Sequence, residues 1–158
     1  MKIAANAPGV RALAVACALA AVSCAPARGR GLQPLSASRF NGTWVMLEHP
    51  YQGELKLWAV NEHTLRVEFA GAYTYGTAGG SMADTSEGTG SATVRGETAS
   101  FVPDRSDAEC TITLRLRGRG WMRADQSGAC FGRYVKAAGR YQRISRDRPW
   151  FGAPNPQG

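Results

Sequence analysis

Histidine is scarce in this sequence of 158 residues, which holds only His49 and His63. Each stands alone in a predicted turn and is expected to be solvated. The sequence supports no Ser/His/Asp arrangement, whose members are recognised by geometry, and no set of metal ligands. The glycine-rich stretch 76–90 lacks the Gly-Lys-Ser/Thr ending of a phosphate-binding loop. The apolar run at residues 12–22 is too short to cross a bilayer, which takes roughly 20 residues. The lack of catalytic, metal-binding and phosphate-binding motifs predicts a protein that is not an enzyme and that holds no metal or cofactor.

The net charge of +7 is concentrated at the ends of the chain. Six of the 19 basic residues lie outside segment 38–145, and within it 13 basic and 11 acidic residues leave a balance of +2. A nucleic-acid-binding protein carries its excess charge on a folded face, so no nucleic-acid partner is predicted. Basic flanks instead suit a position near anionic lipid, at about 1 kcal/mol per basic residue close to the surface.

Residues 1–23 are predicted to be a cleaved export signal. Lys2 and Arg11 give the segment a positive start, and the apolar run 12–22 is followed by small residues. The mature protein is therefore expected to act outside the cytoplasm.

Ala21-Val22-Ser23-Cys24 resembles the lipobox of bacterial lipoproteins, with Ala21 where Leu, Val or Ile is usual. The resemblance implies that Cys24 is lipidated, that the membrane is a partner through this lipid, and that residues 24–37 form a linker. Cleavage without lipid is the alternative, at Ser23-Cys24-Ala25 or at Ala25-Pro26-Ala27. The product would then be a soluble periplasmic or secreted protein.

Four cysteines are present, and Cys17 leaves with the signal. If Cys24 carries a lipid, Cys110 and Cys130 remain as an even pair in an oxidising compartment. A hairpin that turns near residues 118–120 would bring the two together, and their disulfide would contribute roughly 3 kcal/mol. No third or fourth ligand lies at a spacing that would suit a metal site.

Alternation of apolar and polar residues dominates segment 38–145 and indicates eight to nine short strands. This pattern predicts an all-β domain, either a small antiparallel barrel or a sandwich. Residues 76–90 are too polar and too rich in glycine to pack, so a long mobile loop is expected there. Residues 146–158 are expected to form a flexible tail, in which Trp150-Phe151 is a possible docking element. The strands are predicted at residues 43–48, 54–60, 64–70, 73–75, 93–95, 98–102, 110–117, 121–126 and 139–144.

A set of short motifs lies between residues 90 and 141. They are Gly90 to Gly96, Ala99-Ser100-Phe101, Cys110 to Leu114, Gln126-Ser127-Gly128-Ala129-Cys130-Phe131-Gly132, Val135 and Gly139-Arg140-Tyr141. Their order and spacing resemble a pattern that recurs in small secreted bacterial lipoproteins of unassigned function, and the resemblance implies no activity.

Gly42-Thr43-Trp44 resembles the opening of lipocalin and avidin barrels. The resemblance implies that Trp44 packs under a basic residue of the last strand, either Arg140 or Arg143. It also raises the possibility of a pocket for a small apolar ligand, lined by Trp44, Phe69 and Phe101. The same aromatic residues would equally suit the filled core of a small barrel.

Four arginines of the predicted hairpin, Arg115, Arg117, Arg119 and Arg123, stand at odd-numbered positions, opposite in direction to the apolar even-numbered ones. They are expected to form a basic patch on the outer face, where a lipid headgroup, a polysaccharide or an acidic protein could bind. A solvated β face is the alternative interpretation.

The sequence therefore predicts an exported, lipid-anchored module of the cell envelope that binds an unidentified protein or small molecule. Two alternatives remain. One is an inhibitor of an extracellular or periplasmic enzyme, of the kind that inhibits lysozyme or proteases. Because the domain is slightly basic, an acidic target enzyme would suit it. The other is a lipocalin-like carrier of a small apolar ligand.

Overall fold

Eight antiparallel strands form a closed barrel in which each strand pairs with the next and β8 pairs with β1. The computed structural model describes residues 36–104, 109–118 and 120–152, and the predicted signal, Cys24 and most of the linker lie outside them. The all-β prediction is confirmed, and of its two architectures the barrel is the one found. The elements are the 3₁₀ helix Ser36–Phe40, β1 Gly42–Glu48, β2 Tyr51–Ala59, β3 Thr64–Thr77, β4 Gly80–Arg95, β5 Thr98–Phe101, β6 Thr111–Leu116, β7 Trp121–Ser127 and β8 Gly139–Ser145.

The period-2 pattern of the sequence separates the inner face of the barrel from the outer face. In β6, Ile112, Leu114 and Leu116 are buried inside, while the residues between them are only half-buried. Successive side chains of a strand point to opposite faces. The alignment of a strand with its neighbours therefore determines which residues line the inside of the barrel and which lie on its outer surface. Eight strands enclose an interior just wide enough for side chains to fill.

The stretch 76–90 is not a loop, so the prediction of a mobile loop there is wrong. β3 and β4 pair without interruption from Thr64 opposite Thr93 to Thr77 opposite Gly80. Backbone hydrogen bonds hold this hairpin, and they need no large side chains. Glycine at an inward position also makes room for a neighbour: a Cβ on Gly88 would lie 2.6 Å from the Phe131 ring.

The 3₁₀ helix closes the end of the barrel at which β1 begins, here called the base. Phe40 and Ala37 are fully buried, and the Trp44 indole donates a hydrogen bond to the Phe40 carbonyl at 2.8 Å. The Ala59 amide donates to the Asn41 side chain at 2.7 Å. The chain therefore enters the barrel through an ordered, apolar seal.

The opposite end, here called the mouth, is filled by the connection between β7 and β8. This plug segment, residues 128–138, inserts Phe131, Val135 and Ala137 into the core. The Phe131 ring lies 4.4 Å from the Phe69 ring, centroid to centroid. A Cβ on Gly71 would lie 2.9 Å from a Val135 methyl group, so the β3 wall is shaped around the plug segment.

Candidate functional site

The outer face of β6, β7 and β8 carries three arginines in one row across the strands. Arg115 lies directly opposite Arg123, and Arg123 lies directly opposite Arg140. We call these three residues the arginine row. Two of them belong to the patch that the sequence predicts; Arg140 does not, because its place depends on the pairing of β7 with β8. On the other side of Arg115 the row continues to Thr98 and Arg95.

One carboxylate serves two members of the row. Asp125 accepts hydrogen bonds from the Arg115 guanidinium and, at 3.1 Å, from Nε of Arg123. The Arg115 and Arg123 side chains remain 41% and 59% exposed, so both can reach a ligand from solvent. Like charges directly opposite one another destabilise a sheet, and Asp125 compensates for only part of this repulsion.

Arg140 is held in place by an aromatic ring rather than by an acid. Its guanidinium lies 4.7 Å from the centre of the Trp121 ring, and its backbone amide donates to a Glu48 carboxylate oxygen at 3.1 Å. A guanidinium on an indole keeps its hydrogen-bond donors available while its position is fixed. Trp121 is itself 38% exposed, which leaves an apolar edge next to the row.

The other two predicted arginines do not join the row. Arg117 is exposed beyond the end of β6, where its backbone amide donates to the Trp121 carbonyl at 2.9 Å. Arg119 lies outside the described residues.

The outer face of β2, β3 and β4 carries charges of both signs, and Arg66 is among the basic residues there. Glu54 and Glu87 flank Ala70 in one row across these strands, and Lys56 in the next row binds Glu68 at 2.6 Å and Glu54 at 3.7 Å. The acidic and basic side chains on this face are about equal in number, whereas the arginine row outnumbers its acidic partner Asp125. An anionic partner is therefore better suited to the arginine row.

The three residues predicted to line an apolar pocket are Trp44, Phe69 and Phe101, and the barrel brings them together in its core. All three are fully buried. Their rings pack against other side chains, with Phe131 of the plug segment against Phe69. The Trp44 ring lies beneath Arg143 of β8, whose guanidinium is 4.2 Å from the ring centre. Of the two basic residues considered for this position, Arg143 occupies it.

The disulfide joins Cys110 to Cys130, as predicted. Cys110 is fully buried just before β6, and Cys130 stands at the start of the plug segment, next to Phe131. The bond therefore attaches the plug segment to the barrel wall at the mouth.

Four tyrosines form one cluster at the mouth, which the sequence did not predict. The Tyr73 ring lies 5.1 Å from Tyr51, 5.9 Å from Tyr75 and 5.6 Å from Tyr134. Tyr134 belongs to the plug segment, so the cluster packs the projecting β3–β4 hairpin against it. The available signal was the alternation of Tyr73 and Tyr75 at the end of a predicted strand.

Tyr141 forms the polar contact between β8 and the plug segment. Its hydroxyl donates to the Ala137 carbonyl at 2.9 Å. Burial, followed by the charge of Glu48, raises the pKa of Tyr141 well above its ordinary value. The folded protein therefore keeps this phenol neutral at pH values at which the unfolded chain loses the proton.

This difference predicts a loss of stability in alkali. Above a pH of about 10 the unfolded state binds fewer protons, so the free energy of unfolding should fall by up to about 1.4 kcal/mol per pH unit from Tyr141. Tyr141→Phe should flatten that decline, at a cost of about 1 kcal/mol at neutral pH for the lost hydrogen bond. Urea denaturation from pH 8 to 11 measures both. An unchanged slope in the variant would show that Tyr141 does not carry the effect.

The histidines and acidic residues form no metal centre in the described ranges. His49 and His63 are exposed, and no group of three or more His, Cys, Asp or Glu side chains converges there.

Part of the predicted tail lies against the barrel. Over residues 146–152, the Gly152 amide donates to Glu68 at 3.1 Å, the Phe151 ring lies 4.5 Å from the Arg66 guanidinium, and Arg148 lies 5.9 Å from the Trp58 ring. Phe151, and not the 70% exposed Trp150, makes the aromatic contact. Residues 153–158 are outside the described part of the chain.

The fold defines the class of small, closed, up-and-down β-barrels with eight strands. No family model, no curated protein and no solved structure matches this chain. Among the described residues, no helix has the length and apolar character needed to span a bilayer.

Proposed function

We propose that this chain is an exported, lipid-anchored barrel of the bacterial cell envelope that acts by binding an anionic partner, and that it is not an enzyme. The export segment and the lipobox-like Cys24 support the location. The arginine row carries the proposed activity, because three arginines lie opposite one another across adjacent strands and only two of them share a carboxylate, that of Asp125. An anionic ligand would neutralise the charge that Asp125 leaves uncompensated.

The spacing of the row favours an extended anion with repeated charges. Neighbouring strands lie about 4.8 Å apart, so the row spans roughly 10 Å along the outer face. Guanidinium groups bind carboxylate, sulfate and phosphate through paired, charge-assisted hydrogen bonds. The exposed edge of Trp121 adds an apolar contact next to Arg140. An anionic polysaccharide of the cell envelope fits these features.

Removing two charges of the row should weaken this binding. We expect Arg123→Gln with Arg140→Gln to raise the Kd for a carboxylated polysaccharide at least about tenfold, since hydrogen bonds to charged groups are worth about 1.5–3 kcal/mol each. Arg115 is left in place so that Asp125, which pairs with both Arg115 and Arg123, keeps one partner when Arg123 is replaced. Isothermal titration calorimetry at fixed ionic strength measures the affinity, with an uncharged polysaccharide of equal length as a second ligand.

The matched control is Arg66→Gln with Arg148→Gln, which removes the same charge elsewhere on the barrel. An equal loss in this control would mean that only net charge matters, and the proposal would fail. It would also fail if the wild-type protein bound neither polysaccharide. Binding of an acidic enzyme through the same row, with no affinity for polysaccharide, would support the inhibitor alternative instead.

A second candidate is a carrier of a small apolar ligand. The eight-stranded barrel and Trp44 beneath Arg143 support this resemblance to lipocalins. Phe131 and Val135 occupy the interior at the mouth, however, so a ligand would have to displace the plug segment. The arginine row needs no such rearrangement, and for this reason we prefer it.

A further inference from the structure

A recess at the base of the barrel has the composition of an anion-binding site. It is an open depression of about 330 Å³ between the β6–β7 turn and the end of β8. Two cationic side chains and no acidic side chain are among the described residues that line it, Gly120, Arg143, Ile144, Ser145 and Arg146. It is distinct from the arginine row, none of whose members lines it.

Arg143 is fixed by its surroundings but not neutralised by them. Its guanidinium lies over Trp44 and donates to the Arg39 carbonyl, and its backbone amide donates to the Gly120 carbonyl at 2.9 Å. Its Nε atom is buried without a hydrogen-bond partner. Within the described chain, no carboxylate forms an ion pair with Arg143. A positive charge is thus held at one side of the recess, and none of the described carboxylates serves as its counterion.

Arg146 adds a second positive charge that is also without an ion pair in the described ranges. Burial and then the charge of Arg146 lower the pKa of Arg143, as expected for two like charges that line the same recess. The neighbouring Asp147 carboxylate is engaged by the Ser145 hydroxyl at 3.1 Å. An anion between the two arginines would attract both guanidinium groups and so offset their mutual repulsion.

We propose that this recess binds a phosphate group between Arg143 and Arg146. Two sources offer this chemistry, a phospholipid headgroup and free phosphate. The position of the recess favours the headgroup, and this preference rests on the proposed lipid anchor. Ile144, which lines the recess, is 60% exposed and offers an apolar contact at a membrane surface.

The anchor is also within reach of the base. Eleven residues separate Cys24 from Ser36, the first described residue. At roughly 3.5 Å per extended residue they span at most about 40 Å. An anchored barrel can therefore place its base on the bilayer surface, with its mouth directed away from the membrane.

The test uses the full chain with Cys24→Ser, which removes the acylation site and leaves binding to depend on the barrel. One arm titrates inorganic phosphate at fixed ionic strength and follows the arginine side-chain NMR signals. The other measures sedimentation with vesicles of phosphatidylglycerol mixed into phosphatidylcholine. Arg146→Gln is the test variant, because its side chain is exposed and makes no ion pair in the described ranges. Arg148→Gln, two residues further on, removes the same charge.

Arg146→Gln should weaken phosphate binding at least about fivefold, while Arg148→Gln leaves it near the wild-type value. Binding in both arms supports the headgroup as source, and binding of inorganic phosphate alone supports the free ion. The phosphate site is overturned if the wild-type chain binds in neither arm, or if both variants lose affinity equally. Arg123→Gln with Arg140→Gln should leave phosphate binding intact, so failure of the polysaccharide proposal is distinguished from failure of this one.

Discussion

Phe131→Ala should lower the free energy of unfolding by about 3–5 kcal/mol, as truncation of a buried Phe usually does. The ring is 6% exposed and packs on Phe69 and over Gly88. The glycine cannot move a side chain into the space that the ring leaves, so the cavity should persist. Chemical denaturation followed by tryptophan fluorescence measures the loss.

Leu47→Ala is the matched control for this prediction. Leu47 is 79% exposed on the outer face of β1, and a surface truncation of this kind usually changes stability by no more than about 0.5 kcal/mol. A loss below about 1 kcal/mol for Phe131→Ala would mean that the plug segment does not hold the mouth of the barrel closed.

Removal of the disulfide is the second large effect expected. Cys110→Ala with Cys130→Ala should lower the free energy of unfolding by about 3 kcal/mol, because a cross-link over 20 residues restricts the unfolded chain. Alanine avoids placing a hydroxyl group at the fully buried position 110. Thermal unfolding followed by circular dichroism should show a Tm lower by at least about 10 °C.

Reduction of the wild-type protein provides the comparison for this variant. If the bond acts as argued, a reductant lowers the Tm of the wild-type chain and leaves that of the double variant unchanged. A double variant as stable as the oxidised wild type would contradict the role of the bond in attaching the plug segment.

Much of the barrel could be predicted from the sequence because its strands alternate clearly. In the strand predicted at residues 110–117 the alternation separates Ile112, Leu114 and Leu116, which are buried, from Arg115, and the odd-numbered Arg115 and Arg123 lie outside as predicted. The choice between barrel and sandwich could not be made, since it depends on the pairing of β8 with β1, and pairing partners leave no periodic signal.

The β3–β4 hairpin was missed because glycine and small polar residues resemble a loop in composition. In the barrel one of these residues, Gly88, makes room for the ring of Phe131, a contact between positions 43 residues apart. The plug segment was missed for a related reason: Phe131 and Val135 show no strand alternation, and only the folded barrel reveals the space that they fill. Long-range packing, rather than local propensity, determines the conformation of both the β3–β4 hairpin and the plug segment.

The candidate site was predicted in part. Parity identified Arg115 and Arg123 as neighbours, but Arg140 joins them only through the register between β7 and β8. The prediction also grouped Arg117 with them, although β6 ends at Leu116 and Arg117 lies beyond the sheet. A cross-strand cluster is invisible to sequence reasoning wherever the register is unknown.

The central claim, that the arginine row binds an extended anion, is tested most directly by NMR with labelled arginine side chains. The chain is titrated with the carboxylated polysaccharide, and the Nε–Hε signals are followed one by one. We predict that the signals of Arg115, Arg123 and Arg140 shift together and saturate with one Kd, while those of Arg66 and Arg148 stay in place. Shifts at Arg66 and Arg148 of equal size, or none at the row, would contradict the account.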